Sequence, residues 1–237
     1  MNKKDSSDKE KFFAVNTTNW GHKWGYRDST FVLNDDRSVS MTGSRYELCG
    51  IEMPDFIPYV EEMLDIRIDP DDTLMEVENK PVREARINDR FSHAVKSEFP
   101  EDRYTFKDDE RLMHSQGQTT DEVYKALYLQ IDKMTDMVFY IESEEEAKRL
   151  IQLAAEHRVC LVPYGGGTSV SNALQIPDQE QRMVVAVDTR RMDAIESIDE
   201  EDRRVTVQSG ITGGRLEELL QEKGFTVGHE PDSIEFS

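Results

Sequence analysis

Long apolar runs are missing from this chain, and with them any segment able to cross a bilayer as a helix, which takes about 20 consecutive apolar residues. Cysteine is scarce: Cys49 and Cys160 are the only two. That number excludes a disulfide framework, and Cys160, inside an apolar run, reads as a small packed hydrophobe. The histidines, His22, His93, His114, His157 and His229, show no paired ligand spacing, so no metal site is expected. Positive charge is in deficit, with 29 Lys and Arg against 49 Asp and Glu and a net charge of −20. Such a balance argues against nucleic acid as a partner and against non-specific attraction to anionic lipid. The opening "MNKKDSSDKEKFF" has neither the apolar core of a secretory signal nor the arginine-rich, acid-poor make-up of a mitochondrial one. It reads as a solvated tail.

What is present suffices for a folded core: 237 residues, 37% hydrophobic and 33% charged. Two halves differ in character. Up to about residue 130 the pattern is irregular and mostly helical. "NWGHKWGYRDSTF" gathers Trp20, Trp24 and Tyr26 into an aromatic-anchored loop, and "MPDFIPYVEEMLDI" places Phe56, Tyr59, Val60 and Met63 at helical spacing. "DPDDTLMEVENKP" is an acidic connection, and "INDRFSHAVKSEF" a further short helix. A helix through Val123, Leu127 and Ile131 is expected to be capped by Thr120, with Asp121 and Glu122 complementing its dipole.

From about Met137 the period changes. "MVFYI" reads as a strand, "SEEEAKRLIQLAAEH" as a helix with a capping box at Ser143 and Glu146, and "VCLVP" as a second strand. Short connections make this a βαβ unit with parallel strands. "RMVVAVDT" supplies a third strand, "AIESID" and "RRVTVQSG" a hairpin about "EED", and "GGRLEELLQEKG" an amphipathic helix closed by Gly224.

The second strand runs into Gly165, Gly166 and Gly167, followed by Thr168 and Ser169. Consecutive glycines give up more conformational entropy on folding than other residues, so they mark a sharp turn or a close approach. Loops at the C-terminal ends of parallel strands are where open α/β sheets bind ligands, and successive main-chain N–H groups there can cradle an anion. The lysine of a Walker A loop is missing, and so is the G-x-G-x-x-G dinucleotide spacing. Spacing alone leaves a plain glycine turn and a phosphate cradle both open.

"VPYGGGTSVS", with "VFYIESEEEAKRLIQLAAEH" before it and "VAVDTRRM…GITGGRLEELL" after it, resembles the vanillyl-alcohol-oxidase (PCMH) type of flavin domain. "WGYRDSTF", "RLMHSQGQ" and "GHEPDSIEFS" narrow this, being similar to the alkyldihydroxyacetonephosphate synthases, the ether-lipid branch of that type. The fold class implied is α+β: a tail over 1–18, an N-terminal helical and irregular region over 19–130, and over 131–237 the first α/β subdomain of a PCMH-type FAD-binding domain, incomplete at Ser237. The cofactor implied is FAD. Carried over by position, its diphosphate loop falls on Pro163, Tyr164, Gly165, Gly166, Gly167, Thr168 and Ser169. A second cofactor segment falls on Pro231, Asp232, Ser233, Ile234, Glu235, Phe236 and Ser237. For Asp188 and Met192 a structural role at the strand end is favoured, and His229 is expected to orient the last loop. "SNALQIPDQEQRM", and Gln118 where some relatives have histidine, depart from the pattern.

The resemblance implies exchange of the fatty acid of acyl-dihydroxyacetone phosphate for a long-chain fatty alcohol through a covalent flavin N5 adduct. The catalytic acid/base groups are placed beyond Ser237, so no catalytic residue is assigned and the chain by itself is expected to be inactive. A peroxisomal location, peripheral membrane association and a homodimer come with the same resemblance. Competing readings are an FAD-dependent oxidoreductase of 2-hydroxy acids and a non-catalytic anion- or protein-binding fragment.

Overall fold

The computed structural model describes residues 29–44, 46–69, 82–127, 131–229, 231 and 233–236. The tail, the Trp20–Tyr26 loop, most of the acidic connection, Asp232 and Ser237 lie outside them. The chain divides into two compact units, residues 1–79 and 80–237.

In the first unit, strands β1 (Phe31–Leu33), β2 (Val39–Met41) and β3 (Glu52–Met53) form a small antiparallel sheet in that order. Helix α1 (Phe56–Leu64) occupies the place that periodicity assigns it. Its buried residue is Ile57, and Phe56 stacks on Phe31 with ring centroids 5.8 Å apart. Tyr59 and Met63 are exposed. Turns of 100° per residue put these two on the side away from Ile57, so of the apolar stripe Phe56 packs while Tyr59 and Met63 do not.

The second unit is built around a mixed sheet of order β4–β5–β7–β6. Its strands are β4 (Tyr104–Thr105), β5 (Met137–Tyr140), β6 (Cys160–Tyr164) and β7 (Val184–Asp188). β5 and β6 each pair parallel with β7, while β4 pairs antiparallel with β5. The βαβ unit forms, but the third strand slots between its two strands. The sequence explains the placement: Met137–Phe139 and Val184–Ala186 are apolar throughout and buried throughout, as interior strands covered on both faces must be. β6 carries Pro163, which has no N–H for a ladder, and it lies at the edge.

Helix α5 (Glu144–His157) joins β5 to β6. Ser143 Oγ accepts from Glu146 N–H at 3.1 Å, while the Glu146 carboxylate accepts from Glu142 N–H at 2.8 Å. Its inward stripe is Leu150, Leu153 and Ala154. Helix α2 (Asp89–Glu98) is capped by Asn88 and packs beside it through Phe91 and Val95. Phe99 meets Phe139 edge to face at 4.8 Å. Residues before 131 thus contribute to the same core as the parallel sheet.

Short α3 (Asp108–Met113) and α4 (Thr120–Leu127) follow β4. α4 is capped by Thr119 rather than Thr120: Thr119 Oγ1 accepts from Glu122 N–H at 3.2 Å, and the Glu122 carboxylate accepts from Thr119 N–H at 3.2 Å. Counted from Thr119, the glutamate falls three residues on, as a capping box requires. Hairpin β8 (Ile195–Asp199) and β9 (Arg204–Val207) forms a separate two-stranded sheet, and α6 (Gly213–Gln221) follows, with Gly224 beyond it at φ +81°.

Candidate functional site

Register brings Tyr140, Asp188 and Tyr164 side by side at the C-terminal ends of the three parallel strands. The glycine loop leaves from this edge. Pro163 and Tyr164 still belong to β6, and the loop proper begins at Gly165. Tyr164 turns its ring inward, 4.3 Å from the His114 ring, and donates its hydroxyl to Met113 O at 3.3 Å. Burial pushes that hydroxyl up to about 12, so it stays a donor at any ordinary pH.

Gly167 has φ +73°, and a Cβ there would come within 2.2 Å of the Tyr164 hydroxyl. Backbone conformation and packing both require glycine. Gly165 differs: its φ is outside the left-handed region, and a Cβ would meet nothing within 4 Å among the described residues beyond its chain neighbours. Nothing among the described residues requires glycine at 165. Among the described residues, nothing accepts a hydrogen bond from the N–H of Gly165, Gly166 or Gly167. Gly167 is buried, and a buried N–H without a protein partner is rare unless something else is received there. Open space before Gly165 beside uncommitted amides fits a diphosphate.

Beneath the loop lies a charged cluster. His114 Nδ1 is 2.7 Å from Glu110 O, which can only accept, so Nδ1 carries a proton. Its Nε2 is 2.8 Å from Asp188 Oδ2. Arg190 Nε sits 2.8 Å from the same oxygen, and Arg190 N–H donates to Asp188 Oδ1 at 2.8 Å. Burial opposes ionisation of Asp188, but the Arg190 charge and the His114 and Arg190 hydrogen bonds outweigh it and hold the carboxyl below the usual range. Tyr140 donates to Glu110 Oε2 at 2.7 Å, and burial together with that carboxylate raises its hydroxyl far above the ordinary tyrosine range. Asp188 therefore closes the strand end as an internal counter-ion. Burial also raises the Cys160 thiol.

The last segment docks at the start of α6. Ile234 O accepts from Gly214 N–H at 2.9 Å at the start of α6, and Phe236 N–H donates to Ser233 O at 2.8 Å. Ser233 has φ +66°. The glycine loop touches the stretch before α4, where Gln118 N–H donates to Ser169 O at 2.6 Å. Motifs alone leave Gly117, Gln118, Thr119 and Asn172 outside the site; the Thr119–Glu122 capping spacing is the one local signal of an ordered junction there.

Comparison with known proteins fits this geometry. A family profile described as an FAD binding domain matches residues 135–237. An alkyldihydroxyacetonephosphate synthase of Caenorhabditis elegans is 38% identical over 90% of this chain and 36% of its own length. That of Dictyostelium discoideum is 28% identical with the same coverages, 90% and 36%. A solved alkyldihydroxyacetonephosphate synthase structure superposes with a TM-score of 0.83 at 26% identity, covering 94% of this chain and 42% of that one. The chain spans about a third of the length of these curated relatives. It is a homologue of the alkyldihydroxyacetonephosphate synthases, and its residues 135–237 are an FAD-binding domain.

Proposed function

We propose that this chain supplies the FAD diphosphate cradle of an alkyldihydroxyacetonephosphate synthase, which replaces the fatty acid of acyl-dihydroxyacetone phosphate with a long-chain fatty alcohol. The observation that carries this is the glycine loop: amides of Gly165, Gly166 and Gly167 without partners among the described residues, at the C-terminal edge of a parallel sheet, with open space at Gly165. Gly165, Gly166 and Gly167 hold the diphosphate through main-chain N–H groups, with the hydroxyls of Thr168 and Ser169 close by in sequence. Pro163 and Tyr164 shape the entry to the loop. Pro231, Asp232, Ser233, Ile234, Glu235, Phe236 and Ser237 form the second cofactor segment.

Bound FAD supplies an electrophilic centre and an electron sink, which is what an exchange without net oxidation needs. The Asp188 cluster keeps the strand ends rigid under the loop. Acid/base groups and the tunnel for two long chains are assigned to the part of the relatives' length that these 237 residues do not span. The chain alone then holds cofactor without turnover. A peroxisomal setting, contact with the membrane surface and a homodimer accompany the same reading.

Two measurements test it. Titration of the chain with FAD, followed by quenching of flavin fluorescence, should saturate at one FAD per chain. The native protein isolated from its source should incorporate labelled fatty alcohol into acyl-dihydroxyacetone phosphate without an electron acceptor. Turnover of D-lactate or glycolate with an acceptor, and no exchange, would instead establish a 2-hydroxy-acid oxidoreductase. No FAD binding at all would leave only the fragment reading.

A further inference from the structure

The stretch from Met113 to Thr119, between α3 and α4, follows the glycine loop along its length. At the loop's entry, Met113 O accepts from the Tyr164 hydroxyl at 3.3 Å. In its middle, Ser169 O accepts from Gln118 N–H at 2.6 Å. At its exit, the Thr119 hydroxyl, whose one proton is shared with the Glu122 carboxylate, reaches Asn172 Oδ1 at 3.3 Å. The stretch is itself held by the buried carboxylate of Glu122, which accepts from Gly117 N–H at 3.0 Å and from Thr119 Oγ1 at 2.8 Å. Gly117 is not in the left-handed region, so backbone conformation does not call for glycine. Proximity does: a Cβ would fall 2.4 Å from Ser169 O, 3.0 Å from Glu122 Oε2 and 3.2 Å from Ser169 Cβ.

We propose that this stretch is a clasp that sets the glycine loop in its binding shape, with Gly117 as the positioning residue. The proposal rests on the FAD reading of the loop. The clasp engages the main chain at Ser169 and side chains at Tyr164 and Asn172, which leaves the amides of Gly165, Gly166 and Gly167 between its attachments. An ordered loop has already lost the conformational freedom that a mobile one would give up on binding, and the saving appears as affinity for the diphosphate. Gly117 touches no cofactor in this scheme. It acts by allowing Gln118 to approach Ser169.

The test is Gly117→Ala in the full chain, with Asn172→Gly as a milder variant. Asn172 is exposed and has φ +57°, so glycine removes the side-chain attachment without backbone strain. Hydrogen exchange of the apo chain reports the loop itself. In Gly117→Ala, amides over residues 164–173 should exchange about tenfold faster or more, while core amides keep their protection. The FAD dissociation constant should rise roughly tenfold in Gly117→Ala and several-fold in Asn172→Gly, with melting temperatures close to wild type. A general structural role would lower melting temperature and core protection together.

Unchanged loop exchange in both variants overturns the clasp. So does faster loop exchange with unchanged FAD affinity. If Gly117→Ala does not fold, Asn172→Gly decides alone by the same criteria. If wild type binds no FAD, the FAD reading fails and with it the positioning role, and quickened loop exchange would then mark a purely structural contact.

Discussion

Replacing Gly165 with alanine separates what the fold needs from what a ligand needs. The new methyl meets nothing within 4 Å among the described residues beyond its chain neighbours, and φ lies outside the left-handed region. A glycine-to-alanine change at such a position stabilises a protein by about 0.4–1 kcal/mol, because the unfolded chain has fewer conformations to lose. For a protein of this size each kcal/mol moves the midpoint by roughly 2–4 °C, so the apo variant should melt about 1–4 °C higher. Binding should move the other way. A methyl at the face of the cradle keeps a diphosphate oxygen from its amide, and a hydrogen bond to a charged group contributes about 1.5–3 kcal/mol. Loss of one such bond raises the FAD dissociation constant roughly ten- to a hundredfold. Scanning fluorimetry of the apo chain and a flavin quenching titration read the two effects independently. Unchanged FAD affinity would refute the assignment of this loop to the diphosphate. A lower melting temperature would refute the claim that nothing among the described residues requires glycine at 165.

Asp188→Asn should destabilise the chain by about 3–5 kcal/mol in urea denaturation at pH 7, because it leaves the partly buried Arg190 guanidinium without its counter-ion and the buried His114 ring without its carboxylate partner. The folded-state carboxyl of Asp188 is depressed below its ordinary 3.8, so the unfolded chain binds the proton more readily. Its contribution is complete above about pH 4 and is lost as the pH falls through the folded-state value. The wild type should therefore lose stability more steeply than Asp188→Asn below about pH 4, and parallel profiles would count against the pairing. Phe139→Ala removes a fully buried ring that meets Phe99 edge to face and should cost about 3–5 kcal/mol. A shift in urea midpoint equivalent to under about 1 kcal/mol would show that this core is not packed around Phe139.

Elements whose causes are local are legible in the residues themselves. Ser143 with Glu146 announces the start of α5, and the apolar runs at Met137 and Val184 announce interior strands. The change of period marks where the parallel sheet begins, and the glycine run marks the C-terminal end of β6. Where fold and expectation part, the deciding interaction is of another kind. Thr119 and Thr120 are both good caps, and the choice falls to the one from which Glu122 reaches back. On α1 the pattern shows an apolar stripe but not that Ile57 packs in place of Tyr59 and Met63.

From Met137 onward the sequence by itself determined the types of element, their order and the position of the glycine loop, because helix caps, strand periodicity and backbone freedom act within a few residues of where they are written. Only the tertiary structure decided that β7 lies between β5 and β6, that His114 meets Asp188 across 74 residues, and that Gly117 must be glycine to let Ser169 approach. Those outcomes depend on which buried surfaces and polar groups find partners across the whole fold. No stretch of chain carries that information alone, because each partner is set by residues far away in sequence.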